Sequence, residues 1–223
     1  MYKRQQYIAC THCHPGGDHD GQVWDFTDRG EGLRNTSSLL GRGGLQMGPL
    51  HWSGNFDELQ DFEADMRQHF GGTGFIDDLS YAECEESLGA PKAGLSPELD
   101  ALAEYLEGLP NPISAPNEWE SDGGVLFESL GCDSCHPTPL YTDSSLSTFL
   151  RHDVGTLNVG SGMRLGGPLD GLDTPTLLGL WNSGPYLHDG SADELETAIL
   201  MHEAYREISD DDILILINFL YSL

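Results

Sequence analysis

Cysteine and histidine residues occur twice in this chain at a spacing that can bind a cofactor covalently. The pentapeptide Cys-x-x-Cys-His is found at residues 10–14 and again at residues 132–136. Two thiols one helical turn apart can bond to the two vinyl groups of a haem, and the adjacent histidine can bind the iron as its proximal ligand. The spacing therefore predicts two haem c groups. The predicted attachment and proximal-ligand residues are Cys10, Cys13, His14, Cys132, Cys135 and His136.

Zinc is the main alternative for the paired cysteines, because two Cys-x-x-Cys pairs can supply the four ligands of a structural zinc site. A zinc site would leave the histidine after each pair unexplained. A thioredoxin-like redox pair would need alternating strands and helices, a pattern that we do not find. Cys84 belongs to neither pair, and we expect it to be a buried thiol or, alternatively, an intermolecular link.

Charge and length limit the classes of function. The 223 residues suffice for two domains of about 100 residues each. With 10 basic and 37 acidic residues, the net charge is −27, which disfavours binding to nucleic acid or to an anionic membrane surface. The acidic surface serves solubility, or alternatively it steers a basic electron-donor protein towards the chain.

The sequence also bears on localisation. No run of 18 or more apolar residues is present, so no membrane span is expected. No signal peptide is visible at the start. Because covalent haem attachment implies assembly outside the cytoplasm, we expect a periplasmic or extracellular protein, and a chain that is mature or part of a longer one. A homo-oligomer or a larger assembly is compatible with these features.

The two halves of the chain resemble each other, which indicates a duplicated unit. Each half opens with a haem motif and continues through a glycine-rich stretch to Asp-Glu-Leu, at residues 57–59 and 193–195. Prolines at residues 110–117 indicate a linker. The predicted fold is therefore mainly α, with two cytochrome c-like domains, residues 1–112 and 113–223, each around one covalently bound haem c.

Helix start signals support this fold class. Ser96 before Pro97 predicts the start of one helix, and Ser209 predicts the start of the last. Ser191 with Glu194 forms a predicted capping box, and Asn55 is a predicted cap for the equivalent helix in the first half.

The sixth coordination position of each iron decides between electron transfer and reaction with a small ligand such as peroxide. The candidates for the first haem are His19, Met47, His51 and His69. Those for the second are His152, Met163, His188, Met201 and His202. From these we select His51, His69, Met163 and His188 as predicted distal ligands. Trp52 and Trp181 are considered as aromatic electron relays, and Trp52 is preferred because it lies in a repeated segment.

Three segments of the second half carry a resemblance to the bacterial dihaem cytochrome c peroxidase/MauG family. They are His-Asp-Val-Gly-Thr at residues 152–156, Asp-Thr-Pro-Thr-Leu at residues 173–177 and Pro-Tyr-Leu-His-Asp-Gly-Ser at residues 185–191. The resemblance covers nearly the whole chain. It implies one low-spin haem for electron transfer and one haem that reduces hydrogen peroxide. It also implies that Trp52 lies between the haems, and that Asn35 and a carbonyl of Thr156 bind a calcium ion.

The chain departs from the family pattern at two places. Residues 70–74 contain no glutamate, although the family has one in this region that assists peroxide cleavage. Asp170 and Gly171 stand where the family has a methionine or tyrosine iron ligand. Two hypotheses follow. The chain is a peroxidase-type haem oxidoreductase, or it is a dihaem electron-transfer module that forms one unit of a larger extracytoplasmic assembly.

Overall fold

The computed structural model describes residues 9–41, 47–115, 122–205 and 207–223. Within these ranges the regular structure is mostly helical, and the strands are only two or three residues long. The mainly helical character predicted from the sequence is thus confirmed. The predicted linker is described only as far as residue 115, and the domain boundary after residue 112 stays a prediction. No helix in the described ranges is long and apolar enough to cross a membrane.

The helices are short and are joined by many 3-10 turns. The α-helices of the described ranges are α1 (Cys10–Cys13), α2 (Phe62–Ala64), α3 (Asp78–Tyr81), α4 (Pro97–Glu107), α5 (Asp122–Ser129), α6 (Leu195–Met201) and α7 (Asp210–Tyr221). A π-helical turn, Asp65–His69, continues α2. The 3-10 turns are Pro15–Gly17, Thr27–Arg29, Leu59–Asp61, Cys132–Ser134, Val159–Ser161, Leu180–Asn182 and Glu203–Tyr205.

The strands form two small antiparallel pairs. Strands β1 (Val23–Asp25) and β2 (Leu33–Asn35) pair with Trp24 opposite Arg34. Strands β3 (Met163–Arg164) and β4 (Gly167–Pro168) pair in the second half. The first pair brings Phe26, which follows β1, close to Arg34 and Asn35 at the end of β2. All three residues line a cavity that is described below.

Two helix starts follow the sequence signals. The Ser96 hydroxyl accepts a hydrogen bond from the Leu99 amide at 3.3 Å, so Ser96 caps α4. The Ser209 hydroxyl accepts one from the Asp212 amide at 3.2 Å and caps α7.

Two other predicted caps are wrong. Helix α6 begins only at Leu195, and the Ser191 amide donates to the Asp189 carboxylate at 3.1 Å, so the predicted capping box does not form. The side chain of Asn55 caps no helix and instead bonds to His51 and Glu31.

The apolar side chains pack in clusters that are separate in sequence. Two clusters come from the first half and consist of Leu50, Phe56, Leu59 and Ala103, and of Ile76, Tyr81, Cys84 and Leu99. The third comes from the second half and consists of Phe127, Tyr186, Ala192, Leu195, Ala198, Leu216 and Leu220. Cys84 is buried, as predicted, and is a free thiol.

Glycines bring two elements of the second half and two loops of opposite halves into close contact. A Cβ on Gly123 would lie 2.3 Å from the Cβ of Phe219, so α5 packs directly on α7. A Cβ on Gly32 would lie 2.3 Å from the carbonyl oxygen of Gly160. The backbone of the loop before β2 therefore touches the Val159–Ser161 turn, and this contact fixes how the walls of the candidate site meet.

Candidate functional site

The first Cys-x-x-Cys-His motif lies in the wall of a cavity. Helix α1 carries both cysteines one turn apart, and the chain turns at His14. The cavity has a volume of about 240 Å³ and lies between this motif and the apolar side chains of Leu50 and Phe62. The structure therefore brings the predicted attachment residues of the first motif together at one cavity.

The second motif lies in the wall of a larger cavity of about 670 Å³, which is within the range of roughly 300–1,000 Å³ that is usual for cofactor pockets. Its wall includes Cys132, Cys135 and His136. Apolar side chains of α6 and α7, among them Leu195 and Leu216, close the opposite side. The two cysteine pairs thus face different cavities, and the four-cysteine zinc site is not formed.

The imidazoles of both motifs are held in the same way. The Nδ1 of His14 lies 3.2 Å from the carbonyl oxygen of Asp18, and that of His136 lies 3.0 Å from the carbonyl oxygen of Tyr141. Because a carbonyl oxygen only accepts, Nδ1 carries the proton and Nε2 keeps its lone pair, which is the state of a histidine that binds a metal. Burial lowers the pKa of His136 to about 4, so this ring is neutral at neutral pH.

The four motif cysteines are free thiols. Burial raises the pKa of the Cys13 thiol and of the Cys132 thiol. Free thiols beside oriented imidazoles at apolar cavities are the groups that two haems c require. The residues present therefore fit the cofactor that the motifs predict.

The two cavities share one wall. Residues that line both are Asn35, Thr36, Ser37 and Trp52. The indole nitrogen of Trp52 donates to the carbonyl oxygen of Asn35 at 2.9 Å, and the carbonyl of Trp52 accepts from the Asp173 amide at 2.9 Å. The predicted relay residue is thus the aromatic side chain in the shared wall. Trp181 lines neither cavity.

The structure separates the predicted distal residues of the first haem. His51 lines the first cavity. His69 is exposed at the end of the π-helical turn and lines neither cavity. Met47 is buried away from both cavities, and His19 lines the larger cavity instead of the first. His51 is therefore the histidine of this group that the structure brings to its predicted cavity.

Among the predicted distal residues of the second haem, Met163 is 44% exposed. Neither Met163 nor Met201 lines a cavity. His188 is fully buried and lines the larger cavity, where its Nε2 lies 2.7 Å from the Ser161 hydroxyl. His202 also lines this cavity, and its Nδ1 lies 2.8 Å from the carbonyl oxygen of Ala198.

His152 lines the larger cavity too, but its Nε2 lies within hydrogen-bond distance of the Asp143 carboxylate, at 2.7 Å. The possible metal-ligand atoms of Cys135, Asp143 and His152 lie within 4.8 Å of one another. Since Cys135 belongs to the second haem motif, we interpret this group as a hydrogen-bonded histidine–aspartate pair beside that motif. The roles of all the predicted distal ligands stay predictions.

A chain of polar side chains next to His51 was not found from the sequence. The Nδ1 of His51 lies 2.7 Å from the Asn55 Oδ1, and the Asn55 amide donates to the Glu31 carboxylate at 2.8 Å. Arg29 donates to the same carboxylate at 3.0 Å. Burial opposes ionisation of Glu31, but His51, Arg29 and Arg34 outweigh it and hold the pKa of Glu31 below its ordinary value.

Arg34 is the second feature that the sequence did not show. Its side chain is 5% exposed and lines the first cavity. Its Nη1 donates to the carbonyl oxygens of Leu33 and Ser161, at 2.7 and 2.8 Å. Its Nε and Nη2 are buried without a hydrogen-bond partner among the described residues. A buried guanidinium with unfilled donors fits a carboxylate such as a haem propionate.

The implied calcium site has partial support. Asn35 is buried, its amide group donates to the carbonyl oxygens of Pro185 and Leu187, and its Oδ1 has no hydrogen-bond partner within the described ranges. Thr156 is also buried and lines the same larger cavity. An unpartnered amide oxygen is a ligand that calcium accepts.

No protein-family model matches the chain. The hydrazine synthase subunit gamma of Kuenenia stuttgartiensis is 28% identical over 238 residues, which cover 87% of this chain and 64% of that protein. The cytochrome c551 peroxidase of Nitrosomonas europaea is 29% identical over 150 residues, which cover 64% of this chain and 42% of that protein. The chain thus spans less than two thirds of the length of each of these curated relatives.

Two solved structures share the fold. One is a chain of Kuenenia stuttgartiensis hydrazine synthase pressurised with xenon, with a TM-score of 0.68, 24% identity, and coverage of 100% of this chain and 83% of that chain. The other is a MauG-like protein associated with microbial copper homeostasis, with a TM-score of 0.64, 17% identity, and coverage of 99% and 84%.

These relatives are c-type haem proteins. More particularly, they are members of the cytochrome c peroxidase/MauG-like haem family, and the chain is similar to them over most of its length. The resemblance that the motifs of the second half indicated is thereby confirmed.

Proposed function

We propose that the chain is a dihaem c-type cytochrome that transfers electrons between its two haems and reduces hydrogen peroxide at the first. Residues 1–112 and 113–223 would each form a cytochrome c-like domain around one haem. The electrons would come from a donor protein. The cytochrome c551 peroxidase among the relatives supports this choice of substrate.

One observation carries the proposal. Each Cys-x-x-Cys-His motif faces its own cavity with its imidazole oriented, and Trp52 lies in the wall that the two cavities share. An aromatic side chain between two redox centres shortens the path of an electron. The site therefore has the parts of a two-centre electron-transfer protein.

The residues of the two motifs and the backbone carbonyls beside them would have different roles. Haem supplies an iron that changes its oxidation state by one electron. Cys10 and Cys13 would hold the first haem, and the carbonyl of Asp18 keeps the His14 ring in the metal-binding tautomer. The carbonyl of Tyr141 does the same for His136. The mostly apolar walls of both cavities would limit the contact of the haems with water.

The distribution of histidines favours the first cavity as the site of peroxide reduction. His188 and His202 line the larger cavity in addition to the proximal His136, so the second iron has imidazoles available for a sixth ligand. A six-coordinate iron suits electron transfer. The first cavity has His51 beside a hydrogen-bonded carboxylate, which suits the handling of protons.

The experiment combines mass and spectroscopy on the purified protein from cells that attach haem c. We expect the intact mass to exceed that of the polypeptide by two haems, and a spectrum with one high-spin and one low-spin ferric haem. Added hydrogen peroxide should be consumed by the reduced protein. A protein whose mass shows fewer than two haems would contradict the proposal at its first step.

A second candidate function is electron transfer alone, within a larger assembly. The similarity to a subunit of hydrazine synthase and the absence of glutamate at residues 70–74 favour it. Both ferric haems would then be low-spin, and the half-reduced protein would leave hydrogen peroxide unchanged. The same spectra therefore separate the two functions.

We also propose a calcium ion between the halves and a location outside the cytoplasm. The unpartnered Oδ1 of Asn35 supports the ion, and covalent haem attachment supports the location. A calcium content of one per chain, lost in Asn35→Ala, would support the ion, and a wild-type protein purified in calcium that contains none would exclude it.

A further inference from the structure

We infer that His51 accepts the proton of a weak acid, such as hydrogen peroxide, that enters the first cavity, and that Asn55 and Glu31 position its ring for this step. The inference rests on the proposed function and assigns a group to the role left open at residues 70–74. It concerns the proton transfer alone.

The ring of His51 is fixed on three sides. Its Nδ1 lies 2.7 Å from the Oδ1 of Asn55. Its centroid lies 4.5 Å from that of Phe56 and 5.1 Å from that of Phe62. No hydrogen bond joins its Nε2 to a residue in the part of the chain that the structure describes. The free nitrogen thus belongs to a ring that lines the cavity.

The tautomer of the neutral ring follows from its neighbours. The Glu31 carboxylate accepts hydrogen bonds only, so the amide group of Asn55 must donate to it and the Oδ1 of Asn55 must face His51. An amide oxygen also accepts only, so the Nδ1 of His51 carries the proton. In the neutral ring, Nε2 therefore has the lone pair that a proton acceptor needs.

Glu31 is itself held in place. Arg29 donates to it at 3.0 Å and to Asp65 at 2.9 Å through the same Nη2. The series Arg29, Glu31, Asn55, His51 is thus an unbroken hydrogen-bonded chain that ends at the cavity. A base oriented by a second polar group is the arrangement that general-base catalysis uses.

The backbone adds a separate sign of constraint. His51 has a φ of +67°, in the left-handed region that residues other than glycine seldom adopt. Such conformations persist where the surrounding structure holds them, and they concentrate at functional sites. Residue 51 is therefore a histidine although its backbone conformation would favour glycine.

The proton transfer balances without any change of oxidation state. The O–H bond of hydrogen peroxide breaks, an N–H bond forms at the Nε2 of His51, and the hydroperoxide anion remains in the cavity. The buried guanidinium of Arg34 lies in the same wall, and its positive charge favours an anion in the cavity. The Glu31 carboxylate in turn stabilises the imidazolium through Asn55.

Two buried carboxylates lie just before residues 70–74. Asp65 lines the first cavity but is paired with Arg29 at 2.9 Å, and Glu63 is not available for this role. It accepts hydrogen bonds from the amides of Phe75 and Ile76 and from Arg67, and it lines neither cavity. Its function is to close the 70–76 turn. The proton acceptor of the first cavity is therefore found on a different segment from the one that the family pattern indicates.

The test uses the oxidised dihaem protein and hydrogen cyanide, a weak acid that must lose its proton to bind ferric haem. The second-order rate constant of binding is measured by stopped flow from the Soret shift. We expect His51→Leu to slow binding by about 100-fold or more, the usual contribution of a positioned base. Tyr105→Leu, which changes an exposed ring that lines neither cavity, is the control and should leave the rate unchanged.

Asn55 is tested by a pair of variants. Asn55→Leu removes the acceptor of the Nδ1 proton and should slow binding about tenfold. Asn55→Asp combined with Glu31→Gln keeps an acceptor oxygen beside Nδ1 and a donor behind it, so this double variant should restore most of the rate. The haem content of each variant is measured as a control for folding. His51→Gln, which keeps a polar side chain of similar size, replaces His51→Leu if the latter loses haem.

The outcomes separate the inference from the proposed function. A wild-type protein that does not bind cyanide overturns both. A wild-type protein that binds it, with His51→Leu at the same rate, overturns the inference alone. A low-spin first haem that becomes high-spin in His51→Leu also overturns it, because His51 would then be an iron ligand.

Discussion

The hydrogen-bond partner of Nδ1 distinguishes the histidines of this chain. His14, His136 and His202 each have Nδ1 near a backbone carbonyl oxygen, which leaves Nε2 ready to bind a metal. His51 has the side-chain oxygen of Asn55 at the same position. His188 has instead its Nε2 near the Ser161 hydroxyl, while its Nδ1 is buried without a hydrogen bond in the described ranges. These partners indicate that His202 is better prepared than His188 to bind the second iron.

Trp52 carries the prediction that most directly concerns electron transfer. Replacing it with leucine should slow electron transfer between the haems by at least about tenfold, because the shared wall loses its aromatic side chain. The half-reduced protein, studied by flash photolysis, gives the rate. Trp181→Leu is the control, since Trp181 lines neither cavity. Equal rates in the two variants would contradict the relay role.

Arg34 is expected to hold a propionate of the first haem. In Arg34→Leu that carboxylate would lose its cationic partner, so the ferric form would be favoured and the midpoint potential of the first haem would fall. We expect a fall of about 60 mV, which corresponds to a tenfold change for one electron.

Spectroelectrochemical titration measures the potential of the first haem. Arg34→Lys, which keeps the charge, should lower it less than Arg34→Leu does. An unchanged potential in both variants would show that the unfilled donors of Arg34 serve another partner.

At the scale of elements, the sequence predicted those helix starts that depend on contacts between residues close together in the chain. Ser96 and Ser209 were recognised as caps because their acceptor oxygens bond to amides three residues later. Ser191 was predicted wrongly because its own amide is taken by Asp189. The role of Asn55 could not be predicted, since its partner Glu31 is 24 residues away in sequence and the contact depends on the tertiary fold.

The haem motifs were readable for the same reason, because the cysteines and the histidine of each motif are adjacent in the chain. Distal residues are supplied by remote segments. Met163, in a glycine-rich loop, fitted the sequence pattern of a ligand, yet its side chain lies near Gly30 at the surface. Only the fold decides which of several loops reaches a cavity.

The contact between the loop before β2 and the Val159–Ser161 turn gives a prediction for these elements. In Gly32→Ala the added Cβ would lie 2.3 Å from the carbonyl oxygen of Gly160, and neither backbone can move freely. We expect a loss of roughly 2 kcal/mol or more in the free energy of unfolding. Guanidinium unfolding of the haem-loaded protein, followed by circular dichroism, measures it.

Gly16→Ala is the matched control for this substitution. Gly16 has a similar φ of +67°, but a Cβ there would meet nothing within 4 Å. It should therefore cost only the backbone strain, about 1 kcal/mol. Equal losses in the two variants would mean that the close approach of the two loops does not limit stability.

At the scale of the whole molecule, the two halves meet along one set of polar contacts. The backbone N–H of Asn35 donates to the carbonyl oxygen of His188 at 2.6 Å. The side chains of Arg34 and Arg164 donate to carbonyl oxygens of the opposite half. Trp52 lies within this set. The residues that join the halves therefore also form the wall between the cavities, so a change that separates the halves should also weaken electronic contact between the haems.

The net charge of −27 gives a prediction about the electron donor. The potential of so acidic a surface attracts a basic protein over a range set by the Debye length, which shrinks from about 30 Å at 0.01 M ionic strength to about 8 Å at 0.15 M. We therefore expect the second-order rate constant of reduction by a small basic cytochrome to fall at least about tenfold over this interval. Stopped-flow mixing at several ionic strengths measures it. An acidic cytochrome of similar potential is the control, and its rate constant should rise with added salt because repulsion is screened. A rate constant for the basic donor that does not depend on salt would show that its binding surface is not among the acidic regions.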